Sequence, residues 1–103
     1  MELTVYWLEF AQDRITAIFD YYKSNVGVQV AENIVAGIVD ASFEIGKNPF
    51  GGQRENALVD RIREYRYSIY KSYKIIYWID EPNKMVFIST VFDSRRNPKE
   101  LDF

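Results

Sequence analysis

Three features of the sequence predict an α+β domain. Apolar residues recur every three or four positions as far as Lys47, and the period changes to two beyond about residue 53. The chain has 103 residues, which fits one domain over 1–103 rather than two. Helices first and strands afterwards place an N-terminal strand and an antiparallel two-helix hairpin against a three- to four-stranded antiparallel sheet.

Thr4 to Trp7 is β-branched and aromatic, the composition of a strand. Leu8, Ala11, Ile15, Ile18, Phe19 and Tyr22 then mark one face of an amphipathic helix. Ser24-Asn25-Val26-Gly27 stops it, with Gly27 expected as a left-handed cap. Val30, Ile34, Ile38, Ala41 and Ile45 form the stripe of a second helix, ended by Gly46 and Asn48-Pro49. The hairpin therefore runs from about Leu8 to Lys47, and Phe50 to Gln53 reads as a loop. A small extra strand is marked near Ala57 to Val59.

Tyr65, Tyr67 and Ile69 alternate with Arg66, Ser68 and Tyr70, as in a strand with two unlike faces. Tyr73 to Ile79 is nearly continuous in apolar residues, as expected of a central strand. Asp80 to Lys84 is a turn, and Met85 to Phe92 is the next strand, with Val86, Ile88, Thr90 and Phe92 on one face. Ile15, Ile18, Phe19, Ile34, Ile38, Ile45, Ile76 and Ile88 are expected between the two layers.

Composition narrows the chemistry. Cysteine and histidine are absent, which removes thiolate nucleophiles, the commonest general base and the usual zinc ligands. The scattered Asp and Glu show no ligand spacing, so neither a metal nor a cofactor is expected. Gly51-Gly52 lacks the frame of a phosphate loop. No stretch reads as a signal peptide or a membrane span, which sets a cytoplasmic location and no membrane partner as the expectation.

Net charge is −2, but it is uneven. Residues 1–52 hold three basic residues against seven acids. Between 54 and 74, Arg54, Arg61, Arg63, Arg66, Lys71 and Lys74 face only Glu55, Asp60 and Glu64. That excess suggests a face for an anionic partner, either nucleic acid or an acidic protein segment. Solvated charges on outer strand faces explain it equally well.

Several motifs carry a family likeness. Val5-Tyr6-Trp7 precedes a helix with Tyr21-Tyr22 near its end, and Asn48-Pro49 is followed by Gly51-Gly52. Arg66-Tyr67-Ser68-Ile69 leads to Tyr73-Lys74-Ile75-Ile76-Tyr77, and Val91 to Pro98 reads Val-Phe-Asp-Ser-Arg-Arg-Asn-Pro. In order and spacing the chain resembles the RelE/ParE superfamily of type II toxins, and its ending is most similar to ParE-like plasmid stabilisation proteins.

The resemblance implies a toxin held in check by a cognate antitoxin, with one of two targets. RelE-like members are ribosome-dependent endoribonucleases acting on messenger RNA, whereas ParE-like members poison DNA gyrase. For a nuclease, Arg66 and Arg95 match the arginines that hold phosphate, a role suited to the planar, permanently charged guanidinium. Three departures favour the gyrase class: Asp93 where nuclease relatives often carry histidine, no tyrosine after Arg95, and an acidic net charge. Arg63, Arg66, Lys74, Arg95 and Arg96 are the expected partner- or target-binding residues. An interaction domain of the same fold without enzymatic activity is the third reading, and a homodimer stays open.

Overall fold

The computed structural model describes residues 2–58 and 62–101. Strand β1 (Thr4–Trp7) is followed by helices α1 (Glu9–Asn25) and α2 (Val28–Lys47). A 3₁₀ turn (Pro49–Gly51) leads to the two-residue strand β2 (Gln53–Arg54), and a second such turn spans Asn56–Leu58. The meander β3 (Arg66–Tyr70), β4 (Tyr73–Asp80) and β5 (Met85–Asp93) follows, with a last 3₁₀ turn at Pro98–Glu100.

The sheet order is β1-β5-β4-β3-β2. Pairings β2–β3, β3–β4 and β4–β5 are antiparallel, but β1 lies parallel to β5, Thr4 facing Met85 and Trp7 facing Ile88. The sheet is thus five-stranded and mostly antiparallel. The fifth strand is β2, four residues earlier than the expected Ala57: Ala57 and Leu58 form a 3₁₀ turn, and Val59 lies outside the described residues.

Both helices pack on one face. Ile18 of α1, Ile38 and Ile45 of α2, Ile75 and Tyr77 of β4, and Val86, Ile88 and Val91 of β5 make the main core. Ile15 and Ile34 pack at its margin, and Phe19 is half-buried. Trp7 turns to the same side and its indole Nε1–H donates to Ser42 Oγ at 3.1 Å. Ile76 belongs elsewhere. It points to the opposite face and packs with Leu58, Phe92 and Leu101 in a second, smaller core.

Strand β5 departs from strict alternation. Tyr77 pairs with Ile88 while Ile76 pairs with Thr90, so Ser89 is an extra residue forming a bulge. Adding one residue exchanges the two faces beyond it. Val86 and Ile88 face the helices as expected, but Phe92 lies in the outer core and Val91 takes the inner place. The buried Ser89 hydroxyl has no hydrogen-bond partner among the described residues.

Gly27 also differs from its expected role. The Val26 and Gly27 N–H groups both donate to Tyr22 C=O, closing α1. Gly27 itself has φ +148 and ψ 161, the extended region that only glycine adopts readily, and it precedes α2 as its N-cap. Gly27→Ala should lower stability by about 1–3 kcal/mol although nothing lies within 4 Å of an added Cβ, because the cost is in the backbone. Urea unfolding measures it.

Candidate functional site

Strand β3 presents Arg66 at the mouth of a cleft of about 290 Å³ that also involves Phe50, Arg63, Glu64, Trp78 and Glu81. Its guanidinium is held from three sides. Nη1 donates to Gly52 C=O at 3.0 Å, Nη2 meets Glu64 Oε1 at 3.2 Å, and the Phe50 ring centre lies 5.5 Å away. The acid that pairs with Arg66 is therefore two residues back in its own chain, not on a neighbouring strand. The Arg63 guanidinium carbon lies over the Trp78 ring, 4.1 Å from its centre.

Arg95 sits past the end of β5 beside a second cleft of about 300 Å³, whose walls include Arg14, Tyr21, Tyr73, Asp93 and Arg96. Asp93 binds it closely. Arg95 Nε donates to Asp93 Oδ1 at 3.0 Å and Nη2 to Oδ2 at 2.7 Å, a bidentate pair, while Arg95 N–H also donates to Oδ1 at 3.0 Å. The Arg95 hydrogen bond holds the Asp93 carboxyl below its ordinary value of 3.8, and Asp93 in turn holds Arg95 firmly charged. Arg96 extends the ledge, its Nε donating to Glu100 Oε2 at 2.8 Å.

Because the folded Asp93 carboxyl is the stronger acid, it stabilises the fold above about pH 3.8, and that contribution is lost as the pH falls through its lowered folded value. Asp93→Asn keeps a side-chain acceptor for the Arg95 N–H but removes the charge. The stability difference between wild type and Asp93→Asn should be present at pH 7 and shrink below pH 4, as read by urea unfolding at each pH. A difference unchanged down to pH 2 would contradict the ion-pair account.

The structure does not bring the two candidate arginines together. Arg66 faces Tyr77 of β4, and Asp93 faces Tyr73 of β4 on the other side. Four residues along a strand and two strand spacings separate Arg66 from Asp93, two residues before Arg95, by roughly 16 Å, and the two arginines border different clefts.

Two tyrosines lie near these arginines, and neither is tuned to accept a proton. Tyr73 donates to the Tyr22 hydroxyl at 3.3 Å, and burial, then Tyr22, pushes its own hydroxyl well above the ordinary range. Tyr77 donates to Pro49 C=O at 2.7 Å and is raised by burial. Both hydroxyls stay protonated near neutral pH.

Lys74 is placed differently from the other basic candidates. Its Nζ meets the buried carboxylate of Glu55 at 3.0 Å and lies 4.3 Å from the Tyr67 ring centre, on the outer face of the sheet. Among the described residues no group of three or more His, Cys, Asp or Glu could hold a metal ion.

Some features escaped the sequence reading. Arg14 and Tyr21 of α1 line the Arg95 cleft, signalled only by their position off the apolar stripe of the helix. Asp93, which counted in the sequence against the nuclease class and was also the alternative partner for Arg95, is the group that binds Arg95. The signal was the spacing Asp-x-Arg at a strand end, where an Asx turn brings residue i+2 back to the carboxylate.

Likeness to known proteins follows the same lines. The family model of the ParE toxin of the type II toxin–antitoxin system parDE matches residues 5–98. A solved structure of the chromosomal ParDE toxin–antitoxin system from P. aeruginosa superposes with a TM-score of 0.73 at 16% identity, over 89% of this chain and 96% of that one. The toxin–antitoxin complex RelBE2 from Mycobacterium tuberculosis gives 0.69 at 17% identity, over 90% and 92%. Among curated proteins, the anthracycline biosynthesis protein DnrV of Streptomyces peucetius is 29% identical over 62 residues, 60% of this chain. This chain spans only 22% of the length of that relative. The match over 5–98, together with the shared architecture, shows that the chain belongs to the ParE toxin family of type II toxin–antitoxin systems.

Proposed function

We propose that the chain acts as a ParE-like toxin that inhibits DNA gyrase and is neutralised by a cognate antitoxin. The observation that carries this choice over messenger cleavage is the Asp93–Arg95 pair. Arg95, one of the two arginines expected to hold phosphate, has the Nε–Nη2 edge of its guanidinium taken by the Asp93 carboxylate, so the dianion that develops in messenger cleavage would meet a like charge beside it. Composition supports the same choice: in-line attack by a 2′-hydroxyl needs a base and an acid, each contributing about 10²–10⁴-fold, and the sequence has no histidine to serve as either.

The antitoxin reading is supported by the family match and by solved relatives titled as toxin–antitoxin systems. Acidic groups of the antitoxin are set against Arg95 and Arg96 in the helix-side cleft, and against Arg66 and Arg63 at the other. Lys74, already engaged by Glu55, serves the fold rather than the contact.

Purified protein should inhibit supercoiling by gyrase and leave ribosome-bound messages intact. Arg95→Ala should weaken inhibition, with helical content unchanged by circular dichroism. Codon-positioned cuts in ribosome-bound messages, lost in Arg66→Ala or Arg95→Ala at unchanged stability, would replace the gyrase reading with the nuclease one.

A further inference from the structure

Among the described residues, the face of the sheet turned away from the helices is covered on one half only. Leu58 and Leu101 close the half around Ile76 and Phe92. The other half carries a row of aromatic rings across three neighbouring strands, since Tyr6 of β1 pairs with Phe87 of β5, and Phe87 with Trp78 of β4. All three point outward, because their neighbours Val5, Trp7, Val86, Ile88, Tyr77 and Ile79 all belong to the helix-side core.

The row is ordered ring by ring. Tyr6 meets Phe87 edge-on with centres 6.1 Å apart and planes at 74°, and Phe87 stacks on Trp78 at 4.7 Å and 25°. Arg63 covers the far end, 4.1 Å over Trp78. Phe87 and Trp78 are half-buried, whereas Tyr6 is 51% exposed. A sheet face this aromatic, open at one end and capped by a guanidinium at the other, already shows one cation–π contact and leaves a place for a second over Tyr6.

Charge selects the occupant. The next row holds Thr4, Met85 and Asp80, with Glu81 beside it and exposed Glu2 two residues before Thr4. Against these acids stand Lys84 at the turn, Arg63, which is already engaged with Trp78, and Arg66, which is engaged with Glu64 and Gly52 C=O. An anionic strand would meet carboxylates here, while a guanidinium would meet ring faces and carboxylates together.

We infer that the Tyr6–Phe87–Trp78 strip is a docking surface for an extended peptide segment bearing arginine, one guanidinium lying over Tyr6 and its neighbours facing Asp80 and Glu81. The Trp78 end of the strip borders the Arg66 cleft and shares Arg63, Trp78 and Glu81 with it, whereas Tyr6 and Phe87 line neither that cleft nor the Arg95 cleft; the test does not depend on the identity of the toxin's target.

The chain carries two tryptophans, which supply both a probe and a control. The Trp78 indole is in the strip, and the Trp7 indole is on the helix side, donating to Ser42. The full-length protein is titrated with a ten-residue peptide alternating arginine and serine, with the same peptide carrying glutamate for arginine, and with oligo-dT, following both indole N–H resonances. The arginine peptide should shift Trp78 saturably and leave Trp7 in place. Tyr6→Ser should weaken binding about two- to fivefold, the range of one exposed cation–π contact. Glu81→Lys, at an exposed turn position, should weaken it as well and guards against a Tyr6 variant that fails to fold. Equal shifts from the glutamate peptide, tighter binding of oligo-dT, no movement of Trp78, or a concentration-dependent Trp78 shift without ligand would each overturn the proposal. The last result would give the surface to a second copy of the chain.

Discussion

Gly52→Ala should lower the stability of this protein by about 3 kcal/mol, the upper end of overpacking costs, and its Tm by roughly 10–20 °C. An added Cβ would sit 2.1 Å from the Tyr77 hydroxyl and 2.8 Å from the Tyr67 carbonyl oxygen. Neither yields easily. Tyr77 is fully buried with its hydroxyl tied to Pro49 C=O, and Tyr67 is backbone in the strand that Gln53 pairs with. Tyr77→Phe alone should cost about 1 kcal/mol, the ordinary worth of a buried hydrogen bond. Combined with Gly52→Ala it should cost less than the two added together, because the hydroxyl that the methyl strikes has gone. Urea unfolding of the four proteins measures the coupling. Simple additivity would show that the strain sits at the Tyr67 carbonyl alone.

The second large effect is expected at Lys74. Lys74→Met leaves the Glu55 carboxylate buried with its cation removed, and breaking a pair of this kind typically costs about 3–5 kcal/mol. Stability should fall by about 3 kcal/mol, since Lys74 keeps some contact with water. Replacing both partners, with Glu55→Gln added, should restore part of the loss. By contrast, Arg96→Ala, at an exposed ion pair, should change stability by less than about 1 kcal/mol. Thermal melts of the three variants distinguish a residue that holds the fold from one free to meet a partner. A Lys74→Met protein as stable as wild type would return Lys74 to the contact surface.

The helices were legible because their apolar stripes obey one period over several turns, and Ile18, Ile38 and Ile45 fall where that period puts them. The sheet was legible in its strands but not in its faces. Nothing local in Ile88-Ser89-Thr90-Val91-Phe92 announces an extra residue, so Phe92 reads inward when it lies outward. The parallel place of β1 is set by packing between distant segments, which periodicity does not carry. At the site, residue types pointed to the arginines, but whether a guanidinium is spent or available depends on acids two residues away. Asp93 and Glu64 each bind the arginine that follows at that spacing, a local pattern that the sequence displays and the backbone geometry realises.

The parallel pairing of Thr4–Trp7 with Met85–Ile88 also governs when the sheet can close. During synthesis the hairpin of α1 and α2 emerges first, yet the surface it must lie on is built from β4 and β5. Strand β1 waits longest, since among the described residues it pairs with β5, which is made after every other strand of this sheet. Loop closure over most of the chain must then be achieved before the first strand is held, the kind of distant pairing that slows folding. Until β5 has been made, the hairpin has no complete sheet to lie on and β1 has no partner strand. Both clefts wait with them, since one takes Trp78 from β4 and the other takes Asp93 from β5.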